Sequence, residues 1–262
     1  RHDIRQCASA FSFPERVSSR SDATAEADIP DLCGSVVYSA DFTSSDPAVG
    51  LYRLPKTAGE SFELMFTGPD AQGGGVYVDG RYYSTYCLNL MNYYIVTVSE
   101  WDVPTGTKTM EYDGDVTNVS TAGSAVDPLT GDIYGIFLNQ DANGYVFGKI
   151  SYTPQPVTTA IAPLPGSWNA MAIDRDGRIY GIDLEADYDA STGAYTVTAA
   201  YLNTIDRNTG KPTRVGVTGE LPQYTSGACI DPVTNRMFWN VNRLDNTSSL
   251  CEVDLATGRA TL

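Results

Sequence analysis

The sequence contains a single histidine, His2, and this scarcity excludes much of the chemistry on which enzymes commonly rely. A Ser-His-Asp triad needs a positioned imidazole base, and protein zinc sites draw mainly on cysteine and histidine. No Cys-x-x-Cys pair, Gly-x-Ser-x-Gly motif, P-loop or dinucleotide-binding glycine motif occurs either. The route to catalysis that this composition leaves open is a set of carboxylates.

Positive charge is also scarce, because 17 Lys and Arg residues stand against 32 Asp and Glu residues, for a formal net charge of -15. Such a surface repels nucleic-acid phosphates and anionic membrane surfaces, whereas it is compatible with the binding of divalent cations. No apolar run approaches the roughly 18 residues that a membrane helix needs. We therefore expect no nucleic-acid partner and no insertion into a membrane.

The five cysteines are an odd number, so at least one of them has no disulfide partner within the chain. Cys7 and Cys33 could form a disulfide that ties down the N-terminal segment. The other three, Cys87, Cys229 and Cys251, fall in apolar, strand-like runs, and we expect them to be buried, unreactive thiols.

Lysine is scarce, whereas Tyr is abundant, with 17 residues, and Ser, Thr, Asn, Asp and Gly fill the turns. This composition is typical of a β-rich exported protein, so we expect a secreted, periplasmic or cell-surface location. The chain begins with Arg1 rather than Met, and we expect it to be a piece of a longer protein or to have lost a leader.

Two regions differ in their pattern. Residues 1–33 are partly small, polar and without periodicity, which predicts a tail or linker; alternatively this segment forms an irregular strand that helps to close the domain. Residues 34–262 alternate short β-branched and aromatic runs with Gly, Pro, Asn and Asp clusters. That alternation predicts a single domain of many short antiparallel strands without helices.

A repeat within residues 34–262 predicts the architecture. Residues 121–135 and 225–239 match in residue class at every position, and 169–181 and 73–83 are shorter or looser copies. A second turn element recurs at 102–106, 206–210 and 254–258, and the spacing gives a repeating unit of about 52 residues. We therefore predict an all-β fold, a β-propeller of four-stranded antiparallel blades, with five units visible and five to seven in the closed ring.

Both repeated elements share the form Asp-x-x-Thr-Gly or Asp-x-x-Thr-Asn, which is typical of tight hairpin turns. Aspartate bonds the backbone two residues on, and Gly or Asn accepts the left-handed conformation that ends the turn. Because one binding site would not need five copies, we interpret Asp102, Asp127, Asp206, Asp231 and Asp254 as turn formers.

The pattern Ala-x-Asp-Pro-x-Thr-Gly-x-Ile-Tyr resembles YWTD-like and SMP-30-like β-propellers over residues 34–262. Residues 34–38 and 73–83 also look like uncharacterised propeller domains of secreted surface proteins of gut bacteria. The resemblance implies the fold but does not indicate which activity the protein has, because the shared residues are turn and core residues. Calcium-dependent lactonases of the SMP-30-like group carry a Glu, an Asn and an Asp around the channel, and no matching set occurs here; the inner strands carry mostly small residues instead.

The asymmetry of the turns predicts where a ligand would bind. Naming the strands of a blade A to D from the axis outward, the A–B and C–D turns are tight and share one end, whereas the B–C and D–A connections are long and varied. Variable loops on a rigid scaffold usually carry function. The candidate binding residues on that face are Tyr86, Asn89, Asn92, Tyr93, Asp141, Asn143, Trp168, Asn169, Tyr188 and Arg243. Tyr93 and Trp168 could equally pack between blades.

Acidic residues supply the remaining candidates. Asp183, Glu185, Asp187 and Asp189 lie in what we expect to be one long loop, and such a loop could bind calcium; residues 139–144 are a second candidate, and otherwise no cofactor is expected. The same carboxylates, or Asp113 and Asp115, could act as acid and base. The alternative interpretation is solvated loop acids.

We therefore expect a non-catalytic binding or scaffolding module of a secreted or cell-surface bacterial protein, recognising an unknown protein or glycan. The alternative is a propeller hydrolase or lyase that uses loop carboxylates, with calcium as a candidate aid. A third hypothesis is a purely structural repeat that spaces other domains.

Overall fold

The computed structural model describes residues 11–12, 33–36, 49–54, 60–69, 74–90, 93–114, 121–139, 144–223, 226–245 and 247–262. Within these ranges the chain forms five four-stranded sheets, in which each strand pairs antiparallel with the next along the chain. This confirms the prediction of an all-β propeller with four-stranded blades. No helix long and apolar enough to cross a membrane occurs in the described ranges.

The strands of each blade follow one another in sequence. Blade 1 contains β1 (Phe11–Ser12), β2 (Cys33–Val36), β3 (Gly50–Arg53) and β4 (Glu63–Thr67). Blade 2 contains β5 (Gly75–Val78), β6 (Arg81–Leu90), β7 (Tyr93–Asp102) and β8 (Thr107–Gly114). Blade 3 contains β9 (Thr121–Val126), β10 (Ile133–Asn139), β11 (Gly144–Ser151) and β12 (Val157–Leu164). Blade 4 contains β13 (Ser167–Ile173), β14 (Ile179–Asp189), β15 (Ala194–Ile205) and β16 (Pro212–Val217). Blade 5 contains β17 (Ala228–Ile230), β18 (Met237–Asn242), β19 (Ser248–Val253) and β20 (Ala260–Thr261).

The first strands of the five blades form the inner ring. β5 contacts β9, β9 contacts β13, β13 contacts β17, and β1 contacts both β5 and β17. The ring therefore closes between the first and fifth blades, and residues 11–12 supply the inner strand of the first. The domain boundary at residues 33 and 34 stays a prediction.

Small residues permit the inner strands to approach each other closely. Gly123 in β9 has a φ of +149°, and a Cβ atom built on it would lie 2.5 Å from the backbone nitrogen of Met171 in β13. No L side chain fits this contact without moving a backbone. The expectation that small residues serve the packing of strands at the axis is supported at this position.

Side chains between neighbouring blades form the core. One cluster joins blades 4 and 5 through Ile182, Leu202 and Trp239, and another joins blades 3 and 4 through Phe147 and Met171. Each fully buried side chain of this size contributes about 1.5–3 kcal/mol by leaving water. Large buried side chains such as Trp239 and Phe147 thus fill the space between neighbouring sheets.

Two of the cysteines behave as the sequence predicts. Cys229 and Cys251 form no disulfide within the described residues, and both are buried. Desolvation raises the pKa of Cys251 to about 11, with the Glu220 charge adding to the effect, so the thiol stays protonated at neutral pH. Cys7 lies outside the described residues, and the Cys7–Cys33 disulfide stays a prediction.

The repeated aspartates form the tight turns, which confirms their interpretation as turn formers. The Asp127 carboxylate accepts from the amide of Leu129 at 2.9 Å, and Asp206 accepts from the amides of Asn208 and Thr209 at 3.0 and 2.8 Å. The left-handed position that ends the turn is taken by Gly131, with φ of +76°. These bonds satisfy backbone donors that the hairpin ladder leaves unpaired.

A buried carboxylate lies near the tight-turn end of blade 2, facing blade 3. Glu100 is 7% exposed, forms an ion pair with Arg81 and accepts from the Thr109 hydroxyl at 2.7 Å. Tyr83 also bonds Glu100, and its ring stacks on Tyr152 of blade 3 at 4.3 Å. Burial alone would raise the pKa of Glu100, but the bonds from Thr109 and Tyr83 and the charge of Arg81 together hold it below its usual value of 4.5.

Replacing Gly123 with Ala should destabilise the protein by about 3 kcal/mol or more, because the new methyl meets the backbone of the neighbouring inner strand. Gly131→Ala is the matched control: φ is also positive, but nothing lies within 4 Å of the added carbon, so its cost should stay at about 1 kcal/mol. Urea unfolding measures both variants. Equal losses of stability would contradict close packing of the inner ring at Gly123.

The Glu100 network predicts a loss of stability in acid. Because the pKa of Glu100 is lower in the folded than in the unfolded chain, its contribution is present above pH 4.5 and is lost as the pH falls through the folded pKa. Glu100→Gln should cost about 2 kcal/mol at pH 7. Urea titrations from pH 7 to pH 3 should show that the difference from the parent chain narrows in acid; a difference independent of pH would contradict the assignment.

Candidate functional site

Two of the candidate binding residues, Trp168 and Asn169, are buried. Trp168 is 4% exposed, and its indole nitrogen donates to the carbonyl of Pro165 at 3.0 Å. Asn169 is also buried, and its side-chain oxygen accepts from the indole nitrogen of Trp239 at 3.1 Å. The glycine at position 181 leaves the space that the Trp168 ring fills, since an added Cβ there would lie 2.7 Å from the ring. Trp168 thus packs between blades 3 and 4, and Asn169 joins blade 4 to blade 5.

Two further candidates are at the surface of the loop-rich end. Tyr188 is exposed and its ring contacts that of Tyr195 across the β14–β15 hairpin, with ring centroids 4.6 Å apart. Arg243 pairs with Glu220, with 3.1 Å between Nε and Oε2, and donates to the hydroxyl of Ser249 at 2.8 Å. The Arg243 guanidinium is therefore already held by the protein.

The other candidates are placed only in part. Tyr86 is half-buried in β6, whereas Asn89 lies near the end of β6 and Tyr93 begins β7. Asn92, Asp141 and Asn143 lie outside the described residues. A binding role for these residues stays a prediction.

The acidic residues expected in one long loop lie instead on a strand. Asp183, Glu185, Asp187 and Asp189 all belong to β14, which pairs with β15 as far as Asp189. The expectation of a loop is therefore wrong, because these residues pair with β15 as far as Asp189, with one shift in register between Glu185 and Ala186. No group of three or more His, Cys, Asp or Glu side chains in the described part of the chain lies close enough together to hold a metal. Calcium stays a prediction.

Asp189 has a local role at the tip of this hairpin. It accepts from the amide of Ser191 at 2.8 Å and from its hydroxyl at 2.6 Å. These hydrogen bonds lower the pKa of Asp189 below its usual value of 3.8. The residue is thus a turn former, like the repeated aspartates at the other end.

Two of the acids meet an arginine on one face of blade 4. The Arg214 Nη2 lies 3.2 Å from Oε1 of Glu185 and 3.6 Å from Oδ2 of Asp183. Its guanidinium carbon lies 3.5 Å from the centre of the Tyr201 ring, and the Tyr201 hydroxyl donates to Oε2 of Glu185 at 3.1 Å. Asn203 donates to Oδ1 of Asp183 at 2.7 Å. We call these five residues the Arg214 cluster.

Strand register brings the Arg214 cluster together. Asp183 lies opposite Tyr201 in the β14–β15 pair, and Asn203 lies opposite Arg214 in the β15–β16 pair. Alternation along a strand places Asp183 and Glu185 on the same face, two residues apart. Sequence reasoning identified the two acids but missed the other three residues, although polar side chains at alternate positions of a predicted strand are a signal for such a face.

The Arg214 cluster extends across one face of blade 4, with Asn203 and Arg214 two pairs from the tight C–D turn and Asp183 toward the loop-rich end. Asp183 lies opposite Trp168, near the start of β13, and beside Gly166 in the connection from blade 3. The Asp183 side chain is 18% exposed, whereas those of Glu185 and Arg214 are 52% and 47% exposed. A molecule from solution can therefore reach Glu185 and Arg214, whereas the less exposed Asp183 contacts the Arg214 guanidinium.

The cluster keeps Tyr201 in its protonated form. The hydrogen bond to the Glu185 carboxylate, followed by desolvation and the Glu185 charge, raises the pKa of Tyr201 above its usual value of 10.0, against the opposing charge of Arg214. At neutral pH the site thus combines an accessible carboxylate, a neutral phenol and a guanidinium. Such a set can accept a proton at one point and stabilise negative charge at another.

No family model matches the chain, and no curated protein matches its sequence. Solved structures do resemble it in fold. The α-L-arabinanase of Cellvibrio cellulosa is 12% identical, with 91% of this chain and 93% of that chain covered and a TM-score of 0.48. The aldose sugar dehydrogenase of Streptomyces coelicolor, in its PQQ-bound form, is 14% identical, with 88% and 76% covered and a TM-score of 0.48. A gluconolactonase of Xanthomonas campestris is 14% identical, with 80% and 67% covered and a TM-score of 0.43.

These comparisons correct the expected function. The prediction of a non-catalytic binding or scaffolding module is wrong, since the solved structures that resemble the chain are named as enzymes. At identities this low the likeness is one of fold, so the choice of reaction depends on the chain's own residues.

Proposed function

We propose that the chain is a hydrolase that cleaves ester or lactone bonds at the Arg214 cluster. The observation that supports this most is the position of one guanidinium, which contacts two carboxylates and lies over a phenol that donates to one of them. An accessible base beside two donors suits reactions in which a carbonyl oxygen gains negative charge.

The charges of the cluster favour this reaction over glycoside cleavage. A glycosidase needs one carboxyl group in its protonated form as a general acid. Here both carboxylates pair with the Arg214 guanidinium, and each also accepts a hydrogen bond, Glu185 from Tyr201 and Asp183 from Asn203. The cluster instead offers the Tyr201 phenol and the Arg214 guanidinium as hydrogen-bond donors.

Glu185 acts as the general base in this proposal. Its carboxylate takes a proton from a water molecule, whose oxygen attacks the carbonyl carbon of the substrate. The carbonyl electron pair moves to its oxygen, which accepts a hydrogen bond from Arg214 and a second from Tyr201, whose single hydroxyl proton turns from Glu185 to the oxyanion as Glu185 becomes protonated. When the tetrahedral intermediate collapses, the bond to the leaving oxygen breaks, and that oxygen takes the proton from Glu185. A positioned base and oxyanion donors each typically accelerate such a step by about 100-fold or more.

Asp183 is a positioning residue in this scheme. It is mostly shielded, contacts Arg214 and accepts from Asn203, so it fixes the guanidinium without reaching the substrate. The arrangement follows the general rule that a buried second partner orients the group that touches the substrate.

Three other expectations enter as proposals. We propose that the protein is exported or surface-attached and that it is related to the YWTD-like and SMP-30-like propellers. We also propose that it needs no resident cofactor, with calcium as the one candidate. The acidic composition supports the exclusion of nucleic-acid partners.

Kinetics with p-nitrophenyl acetate and δ-valerolactone test the proposal. Glu185→Gln should lower kcat by at least about 100-fold, because the amide cannot accept the proton from water. Tyr201→Phe should lower kcat by about 100-fold with little change in KM, because the lost hydroxyl acts on the developing charge.

The matched control is Glu252→Gln, which weakens a similar ion pair with Arg236, 2.9 Å between Nε and Oε1, at the tight-turn end of blade 5. Its kcat should equal that of the parent chain. Hydrolysis of neither substrate by the parent chain, or full activity of Glu185→Gln in a folded protein, would overturn the proposal.

A further inference from the structure

A cavity of about 390 Å³ lies on the axis at the tight-turn end, and none of the five residues of the Arg214 cluster lines it. It is bounded by the inner strands β5, β9 and β17, by the end of β13 and by the A–B turns of blades 2, 3 and 5. Its volume falls within the range of about 300–1,000 Å³ that small-molecule sites occupy in proteins. The proposed hydrolase does not use it.

The walls of this axial cavity are mainly apolar. Val76, Val126, Ile173, Ala228 and Ile230 contribute to them, and each of these positions belongs to an inner strand. Apolar walls of this kind favour the body of a small organic molecule over a sugar or a hydrated ion.

The mouth of the axial cavity is acidic. Asp79 and Asp127 both border it, but Asp127 is paired with Arg207 at 2.9 Å. Asp79 is exposed at a left-handed turn position with φ of +47°, and no ion pair joins it to another residue within the described ranges. One carboxylate at the mouth therefore has an uncompensated charge, in a chain whose net charge is -15.

We propose that the axial cavity binds a small organic ammonium ion, with its apolar body between the inner strands and its cationic group beside Asp79. Burial of the apolar part of the ligand against the walls favours binding, and attraction between the Asp79 carboxylate and the ammonium group favours a cation. An anion of the same shape is repelled by the same mouth.

Three probes of one shape test this: benzylammonium, benzyl alcohol and benzoate, titrated calorimetrically into the full chain. Benzylammonium should bind about 5- to 10-fold more tightly than benzyl alcohol at low salt, and benzoate should bind most weakly. Asp79→Asn should remove the preference for the cation and leave the affinity for benzyl alcohol unchanged. Asn tolerates the left-handed backbone conformation, so the turn is preserved.

Two further variants locate the binding. Val78→Phe narrows the cavity near its mouth and should weaken all probes that bind, once thermal unfolding has shown that the variant is folded. Asp176→Asn removes an exposed charge from the A–B turn of blade 4, which does not border the cavity, and should change nothing. Failure of benzylammonium to bind, or equal affinities in the parent chain and Asp79→Asn, would overturn the proposal.

Discussion

The approach of the inner strands around the axis is the constraint on which the other features depend. β9 and β13 come so close that Gly123 leaves no room for a Cβ against the Met171 backbone. Sheets that meet this tightly at the axis must diverge outward, because each is twisted and rigid. The divergence creates wedges between the blades, and large side chains such as Phe147 and Trp239 fill them.

The two ends of the ring differ in which connections are bonded to one another. At the tight-turn end, Arg207 of blade 4 pairs with Asp127 of blade 3 and donates to the carbonyl of Gly177, so neighbouring turns are bonded to one another. Asn235 of blade 5 likewise accepts from the backbone amide of Arg175. At the loop-rich end such bonds run through the connection after β16, where Glu220 pairs with Arg243 of blade 5 and Gln223 donates to the carbonyl of Tyr195. The β14–β15 hairpin extends at this end and carries charged side chains.

Much of the fold could be predicted from the sequence, because turn chemistry repeats and local hydrogen bonds enforce it. The carboxylates of Asp127 and Asp206 accept hydrogen bonds from backbone amides no more than three residues away, so a short sequence motif is enough to predict each turn. The site could be predicted only in part. The sequence identified Asp183 and Glu185 as candidate acidic residues. Their contact with Arg214 depends on the register of β14, β15 and β16, which local sequence does not encode. The sequence suggested Trp168 as an exposed binding residue, yet its ring is buried against Gly181 of the neighbouring strand β14.

The central claim is that reacting carbonyl groups bind at the Arg214 cluster. A crystal structure with a small phosphonate ester, which resembles the tetrahedral intermediate, tests this most directly. The account predicts a phosphonate oxygen within hydrogen-bonding distance of the Arg214 guanidinium and the Tyr201 hydroxyl, with Glu185 facing the phosphorus. A phosphonate bound elsewhere, while the Arg214 ion pairs with Asp183 and Glu185 stay closed and unchanged, would contradict it and leave the cluster as a structural ion-pair network.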